Sequence, residues 1–295
     1  MLIGCDLPYY SDPGAVRAFA QAAEDIGYSY LAVHEHVLSM RSAPPAPLSP
    51  APPGPSYECS TMLAFLSAVT SRIGLSTSML LLPLRPAALA AKQAAEIDLL
   101  SGQRLRLGVA LGRSGGEAAA HGVVPGDRGE LIEEQVAVMR LLWTQPTVRY
   151  QGRHVRIPHA ALDRRPGRSI PVWMGGGTLR SRGCPPPRAM RRIAALADGF
   201  TMSALLGLRP GRGAALVATL LDLVEEAGRD RSAFGIEARL PPRGRHPQAA
   251  DAWRRAGATH LTVGAHPADG DVDDATARIL AAFESLCASH RPPPH

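Results

Sequence analysis

The chain has 295 residues, longer than most single domains but within the range of barrels built from alternating strands and helices. Its 45% hydrophobic content suits a large buried core, and its net charge of +6 rests almost wholly on arginine, since Lys92 is the single lysine. The arginines are scattered and aromatics are only 5%, so nucleic-acid binding is not expected, whereas an anionic cofactor is compatible.

The four cysteines, Cys5, Cys59, Cys184 and Cys287, form no C-x-x-C pair, which argues against a zinc ribbon or a disulfide scaffold. The opening "MLIGCDLPYYSDPG" has no basic segment followed by an apolar core, so it does not read as a signal peptide. No apolar run approaches the roughly 18 residues of a membrane helix. A cytoplasmic protein with no membrane partner is expected.

In chain order, "LIGCDLP" reads as a strand. "DPGAVRAFAQAAEDIGY" reads as a helix with Asp12 as cap, Pro13 in its first turn and Gly27 at its end. "YLAVHEH" is a second strand, followed by a proline-rich loop over residues 41–56, read as a plain surface loop or, given a length that is more often functional than average, as a lid or substrate loop. "YECSTMLAFLSAVTSR" is a helix, and "RIGLSTSMLLLP" a third strand with hydroxyls at Ser76, Thr77 and Ser78 in its middle. Buried hydroxyls are costly without a partner, so this run marks something other than a plain strand.

"RPAALAAKQAAEIDLLSG" is a helix and "RLRLGVALG" a fourth strand. "DRGELIEEQVAVMRLLWTQ" has apolar residues at helical spacing, and "TVRYQGRHVRI" is a hairpin turning at Gln151-Gly152. "IPVWMGGG", "DGFTMSA", "FGIEARL" and "THLTVGA" are strands, each followed by a helix: "PPRAMRRIAALA", "GAALVATLLDLVEEAG", "PQAADAWRRAG" and "DATARILAAFESLC". Eight strands alternating with eight helices predict an α/β fold, a single (β/α)8 TIM barrel over residues 1–295.

Barrel enzymes place their chemistry at the C-terminal ends of the strands. Those ends offer Asp6, then His34, Glu35 and His36, then Ser76 to Ser78, then Ala110 to Arg113, Gly175 to Thr178, Thr201 and Ser203, Glu237 and Arg239, and Gly264 and His266. "HEH" could begin a metal site, but the later strands end in glycines and hydroxyls, and no metal is expected. A Schiff-base lysine is excluded because Lys92 lies in mid-helix. "GGGT" has the form of a phosphate cradle, with backbone N–H groups open to an anion, or of a plain tight turn capped by Thr178.

Taken together, these ends resemble the bacterial luciferase-like monooxygenase superfamily of flavin- and deazaflavin-dependent barrels. The similarity lies in "GYSYLAVHEHVL", in "RIGLSTSMLLLPLRPAALAAKQAAEIDLLSGQRLRLGVALG", and in "RGELIEEQVAVMRLLW", "IPVWMGGG" and "ALADGF", over roughly residues 1 to 205. Two segments depart from it. "GRSGGEAAAHG" stands where the family has a Trp-containing acidic stretch, and "LRSRGCPPPRAM" is a longer lead into the helix after the triglycine.

The resemblance implies a bulge with a non-prolyl cis peptide on the third strand, supporting the ring of the cofactor. Ser76, Thr77 and Ser78 occupy that place, with Ala110 and Gly112 at the next strand end and Gly175, Gly176, Gly177 and Thr178 at the phosphate. It places the family's acid–His pair on Glu35 and His36, with His36 expected to donate a proton and Glu35 to orient it or to bond the cofactor edge.

It further implies an oxidoreductase using reduced coenzyme F420 to pass hydride to an imine or alkene of a small-molecule substrate, a chemistry that fits natural-product biosynthesis. A separate reductase would regenerate the cofactor. The alternatives are a monooxygenase using reduced FMN and oxygen, or a catalytically silent partner subunit. A homodimer through the alanine-rich helices over 57–70 and 87–100 is expected.

Overall fold

A computed structural model describes residues 1–38, 56–112, 115–177, 181–203, 210–240, 246–264 and 272–288. The proline-rich loop lies outside these, save Ser56. Parallel strands alternate with helices along the chain in the (β/α)8 barrel that the pattern predicts, with the third strand in two pieces. The chain forms two compact units, one of residues 1–32, 72–74 and 175–295, the other of 33–71 and 75–174.

In the first unit, β1 (Leu2–Asp6) lies between β2 (Tyr30–Val33) and β11 (His260–Val263), and β10 (Gly235–Leu240) pairs with both β11 and β9 (Gly199–Met202), all in parallel. Helix α1 (Pro13–Ile26) starts and stops where its residues dictate. Asp12 accepts a hydrogen bond from the Ala15 N–H at 2.8 Å, Pro13 opens the first turn, and Gly27 ends the helix at φ +105°. Its Val16, Phe19, Ala20 and Ala23 are buried.

Close packing between strands rests on Gly4, where a Cβ would fall 2.3 Å from the Tyr30 ring. The ring crosses β1 there, and its hydroxyl donates to the Leu261 carbonyl at 3.1 Å. The remaining helices of this unit are α6 (Pro187–Leu196), α7 (Pro210–Glu226), α8 (His246–Arg255) and α9 (Val272–Ala288).

In the second unit, β5 (Leu105–Ala110) pairs in parallel with β8 (Val172–Gly176) on one side and with β3 (Gly74–Thr77) and β4 (Leu80–Leu81) on the other. The single third strand read from the sequence is thus broken. Ser76 pairs with Arg106 and Leu80 with Val109, four steps against three, so one residue bulges out. The Ser78–Met79 peptide within the break is cis.

Helices α2 (Cys59–Val69), α3 (Ala87–Leu100), α4 (Gly115–Ala120) and α5 (Arg128–Thr144) complete the unit. Buried alanines at 90, 91, 94 and 95 let neighbours approach α3 closely, and Trp143 of α5 donates to the Ala91 carbonyl at 2.9 Å. The hairpin of β6 (Val148–Gln151) and β7 (Arg156–Ala160) turns later than expected, over 152–155. Glu134 of α5 organises that turn by accepting the N–H groups of Arg153, His154 and Val155.

Candidate active site

Strand β2 ends at Val33, and the next three residues alternate in exposure: His34 open, Glu35 buried at 4%, His36 partly open. Glu35 does not orient His36. Both its carboxylate oxygens are held by Arg85, Nη1 to Oε1 at 2.7 Å and Nη2 to Oε2 at 2.6 Å. The same oxygens accept the Leu81 N–H (3.0 Å) and the Cys59 N–H (3.0 Å). One buried carboxylate therefore ties the end of β2 to β4 and to the start of α2.

Glu58 completes this cluster. It caps α2 by accepting the Ser60 and Thr61 N–H groups and the Thr61 hydroxyl, and it accepts Arg85 Nη2 at 2.8 Å. Partial burial alone would raise its pKa, but these donors outweigh burial and pull it down to about 2. For Arg85, burial works against the charge, and Glu35 followed by Glu58 outweighs it, raising its pKa.

The carboxylate that meets His36 is Glu117 of α4, only 1% exposed. Its Oε2 lies 3.3 Å from His36 Nδ1, while Oε1 accepts the N–H groups of Val37 (2.9 Å) and Leu38 (3.1 Å). The His36 backbone is fixed as well, since its N–H donates to the Ser56 Oγ and its carbonyl accepts from that hydroxyl. An acid–His pair therefore exists, but its acid comes from the "GRSGGEAAAHG" segment and not from Glu35. The clue was a helix-forming "GEAAAH" placed after a strand end.

The hydroxyl run faces three ways. Ser76 Oγ accepts from Arg106 Nε at 3.2 Å and donates to the Thr77 carbonyl, and Arg106 lies over the Trp173 ring at 4.3 Å. Thr77 turns to the helix layer, where it lies with Ser60, Leu63, Ala90 and Ala94 and donates to the Gly108 carbonyl at 2.6 Å. Both hydroxyls are thus engaged by protein groups. Ser78 stands at the bend, its N–H donating to the Val33 carbonyl at 2.7 Å. At the next strand end Ala110 is partly open, and Gly112 has φ +77°, its carbonyl accepting from Arg128 at 2.9 Å.

In the first unit, Gly175 and Gly176 end β8 and Gly177 follows at φ +98°. A Cβ on Gly177 would lie 1.9 Å from the Gly183 carbonyl oxygen, so glycine is required there by chain crossing alone. The triglycine does not open a helix directly, because α6 begins ten residues further on at Pro187. Thr178 lies outside the described residues.

The buried strand-end charges of this unit form their own network. Arg239 reaches both Asp6 oxygens at 2.5 Å, Thr262 donates to Glu237 at 2.7 Å, and the Tyr30 hydroxyl lies 2.9 Å from Thr262. Burial opposes the Arg239 charge, and Asp6 and then Glu237 outweigh it and raise its pKa. Among the described residues no group of three His, Cys, Asp or Glu could hold a metal ion, and no helix is long and apolar enough to cross a membrane.

Known proteins share this chain's sequence and fold over most of its length. An uncharacterised protein of Mycobacterium tuberculosis is 31% identical over 291 residues, 95% of this chain and 97% of that one. An F420-dependent secondary alcohol dehydrogenase, solved with an F420–acetone adduct, shares the fold at a TM-score of 0.74, with 16% identity over 97% of this chain and 98% of the other. The monooxygenase RslO1 from Streptomyces bottropensis shares it at 0.73, with 15% identity over 99% of this chain and 100% of its own. Residues 2–283 match the family described as luciferase-like monooxygenase, and the chain belongs to that family.

Proposed function

We propose that the protein is an oxidoreductase that uses reduced coenzyme F420 to deliver hydride to an imine or alkene of a small organic substrate. The observation that carries this reading is the His36–Glu117 pair at the exit of β2. Reduction of C=N or C=C by hydride leaves the neighbouring atom in need of a proton, and a histidine backed by a carboxylate can give it near neutral pH.

The residues present fit such a cofactor. Within the first unit, Gly175 to Gly177 offer backbone without side chains, and Arg182 and Arg191 are exposed on the segment that follows, a set that suits an anionic phosphate end. Ala110 and Ser78 leave small groups at the strand ends for a flat ring. When bound, the reduced deazaflavin supplies the hydride. The protein's part is to hold the substrate double bond and to protonate it. Protonated His36 would give its proton to the atom adjacent to the reduced carbon and be left neutral. A separate reductase returns the cofactor to its reduced form.

The competing reading is oxygen activation with reduced FMN, and the family's description as luciferase-like monooxygenase favours it. Anaerobic mixing with reduced F420 and a panel of cyclic imines and activated alkenes tests the proposal. Reoxidation of the cofactor that depends on both protein and substrate is expected. Oxygen consumption with reduced FMN, and no reoxidation of F420 with any member of the panel, would overturn it.

A further inference from the structure

Glu117 bonds three donors from one stretch of chain roughly 80 residues away: the His36 ring, the Val37 N–H and the Leu38 N–H. Its division of labour is uneven. Oε1 takes the two backbone donors and holds the chain, while Oε2 takes the ring. The His36 backbone is already locked through Ser56, so the ring gains its direction from Glu117 rather than from the backbone. Glu117 is itself anchored, since the His121 ring bonds its carbonyl at 2.8 Å.

A carboxylate accepts hydrogen bonds and does not donate them. Nδ1 of His36 must therefore carry a hydrogen, and the neutral ring presents a bare Nε2. We infer that Glu117 is a positioning residue that fixes His36 as the Nδ1–H tautomer, so that Nε2 is the atom exchanging a proton with substrate. The inference rests on the proposed role of His36 and adds the group that sets which nitrogen works. It also makes the same nitrogen the acceptor for the reverse of imine reduction, oxidation of an amine.

Replacing Glu117 separates the clasp from the tautomer. In Glu117→Gln the side-chain carbonyl can still accept from Val37 and Leu38. Its amide then faces Nδ1 as a donor, forces Nδ1 to accept, and moves the neutral ring's proton to Nε2. Nitrogen NMR of histidine-labelled, cofactor-free full-length protein reads this directly, with His36→Ala identifying the His36 signal among the 10 histidines.

The expected result is an Nδ1–H ring in the wild type and an Nε2–H ring in Glu117→Gln, whose kcat falls by roughly 10²–10⁴ while KM changes little. Glu117→Ala, which frees the backbone as well, should move KM and kcat together. An Nε2–H ring in the wild type, or an unchanged tautomer in Glu117→Gln, overturns the inference whatever the kinetics. A tautomer switch in Glu117→Gln alongside wild-type turnover in His36→Ala upholds the positioning of the ring and counts instead against the proposed reaction role of His36.

Discussion

Arg85 and Glu35 face each other as a planar fork against a carboxylate, two parallel hydrogen bonds of 2.7 and 2.6 Å, with the Glu35 side chain fully buried. Such a pair defines geometry more than it adds stability, but breaking one side leaves a buried charge without its partner. The pair joins three separate elements, because Glu35 also accepts from Leu81 and Cys59.

Arg85→Met should therefore destabilise the protein by about 3–5 kcal/mol, read from urea unfolding. Glu35→Gln keeps one acceptor oxygen but turns an amide N–H towards the other backbone donor and Arg85, so it should also destabilise the fold, while leaving the kcat of the remaining folded protein largely intact. A fall of a hundredfold in kcat for Glu35→Gln at unchanged stability would return Glu35 to the chemistry and contradict its assignment as a tie between elements.

Glu58 gives the acid limb of stability a recognisable contributor. Its pKa in the folded protein is about 2, below its ordinary value of 4.5. A depressed carboxylate pKa stabilises the fold above the unfolded value, and that contribution is lost as pH falls from about 4.5 towards about 2. Its side chain is 38% exposed, so solvent screening reduces the effect. Glu58→Gln should flatten the stability–pH curve between those limits and leave its shape above pH 5 unchanged. Identical acid limbs in the two proteins would contradict the assignment.

The strand–helix alternation was legible from its turn signals and from caps where they occur, as at Asp12, Pro13 and Gly27. The bulge at Ser76 to Ser78 was legible only through family resemblance. Three hydroxyls in an apolar strand announce an irregularity but not which way each one turns, and Thr77 faces the helices for reasons of register. The partner of His36 was missed because proximity in sequence favoured Glu35. Strand alternation sends adjacent residues to opposite sides, and the carboxylate that meets His36 comes from elsewhere in the chain. Arg85 was missed for the same reason, since its meaning depends on a contact 50 residues away.

At the triglycine, Gly176 and Gly177 should behave differently. A Cβ on Gly176 would sit 3.1 Å from the Pro185 ring, a contact that small shifts relieve, whereas one on Gly177 would meet backbone at 1.9 Å. Gly176→Val should yield folded protein whose cofactor Kd rises about tenfold, equal to about 1.4 kcal/mol. Gly177→Val should lose folded yield instead. Unchanged cofactor affinity in Gly176→Val would place the phosphate end elsewhere.

His36→Ala removes the proposed proton donor without touching the Ser56 contacts of the backbone. Its kcat should fall by at least about a hundredfold, with cofactor Kd within about twofold of wild type, a shift of roughly 0.4 kcal/mol. Wild-type turnover at normal cofactor affinity would assign the proton to another group.

The most direct test of the whole account is a paired binding titration of the purified protein with F420 and with FMN, followed by the change in cofactor fluorescence. The account predicts saturable, one-site binding of F420 at least about tenfold tighter than FMN, a difference of about 1.4 kcal/mol. FMN binding tighter than F420, or no saturable binding of F420 at all, would contradict it.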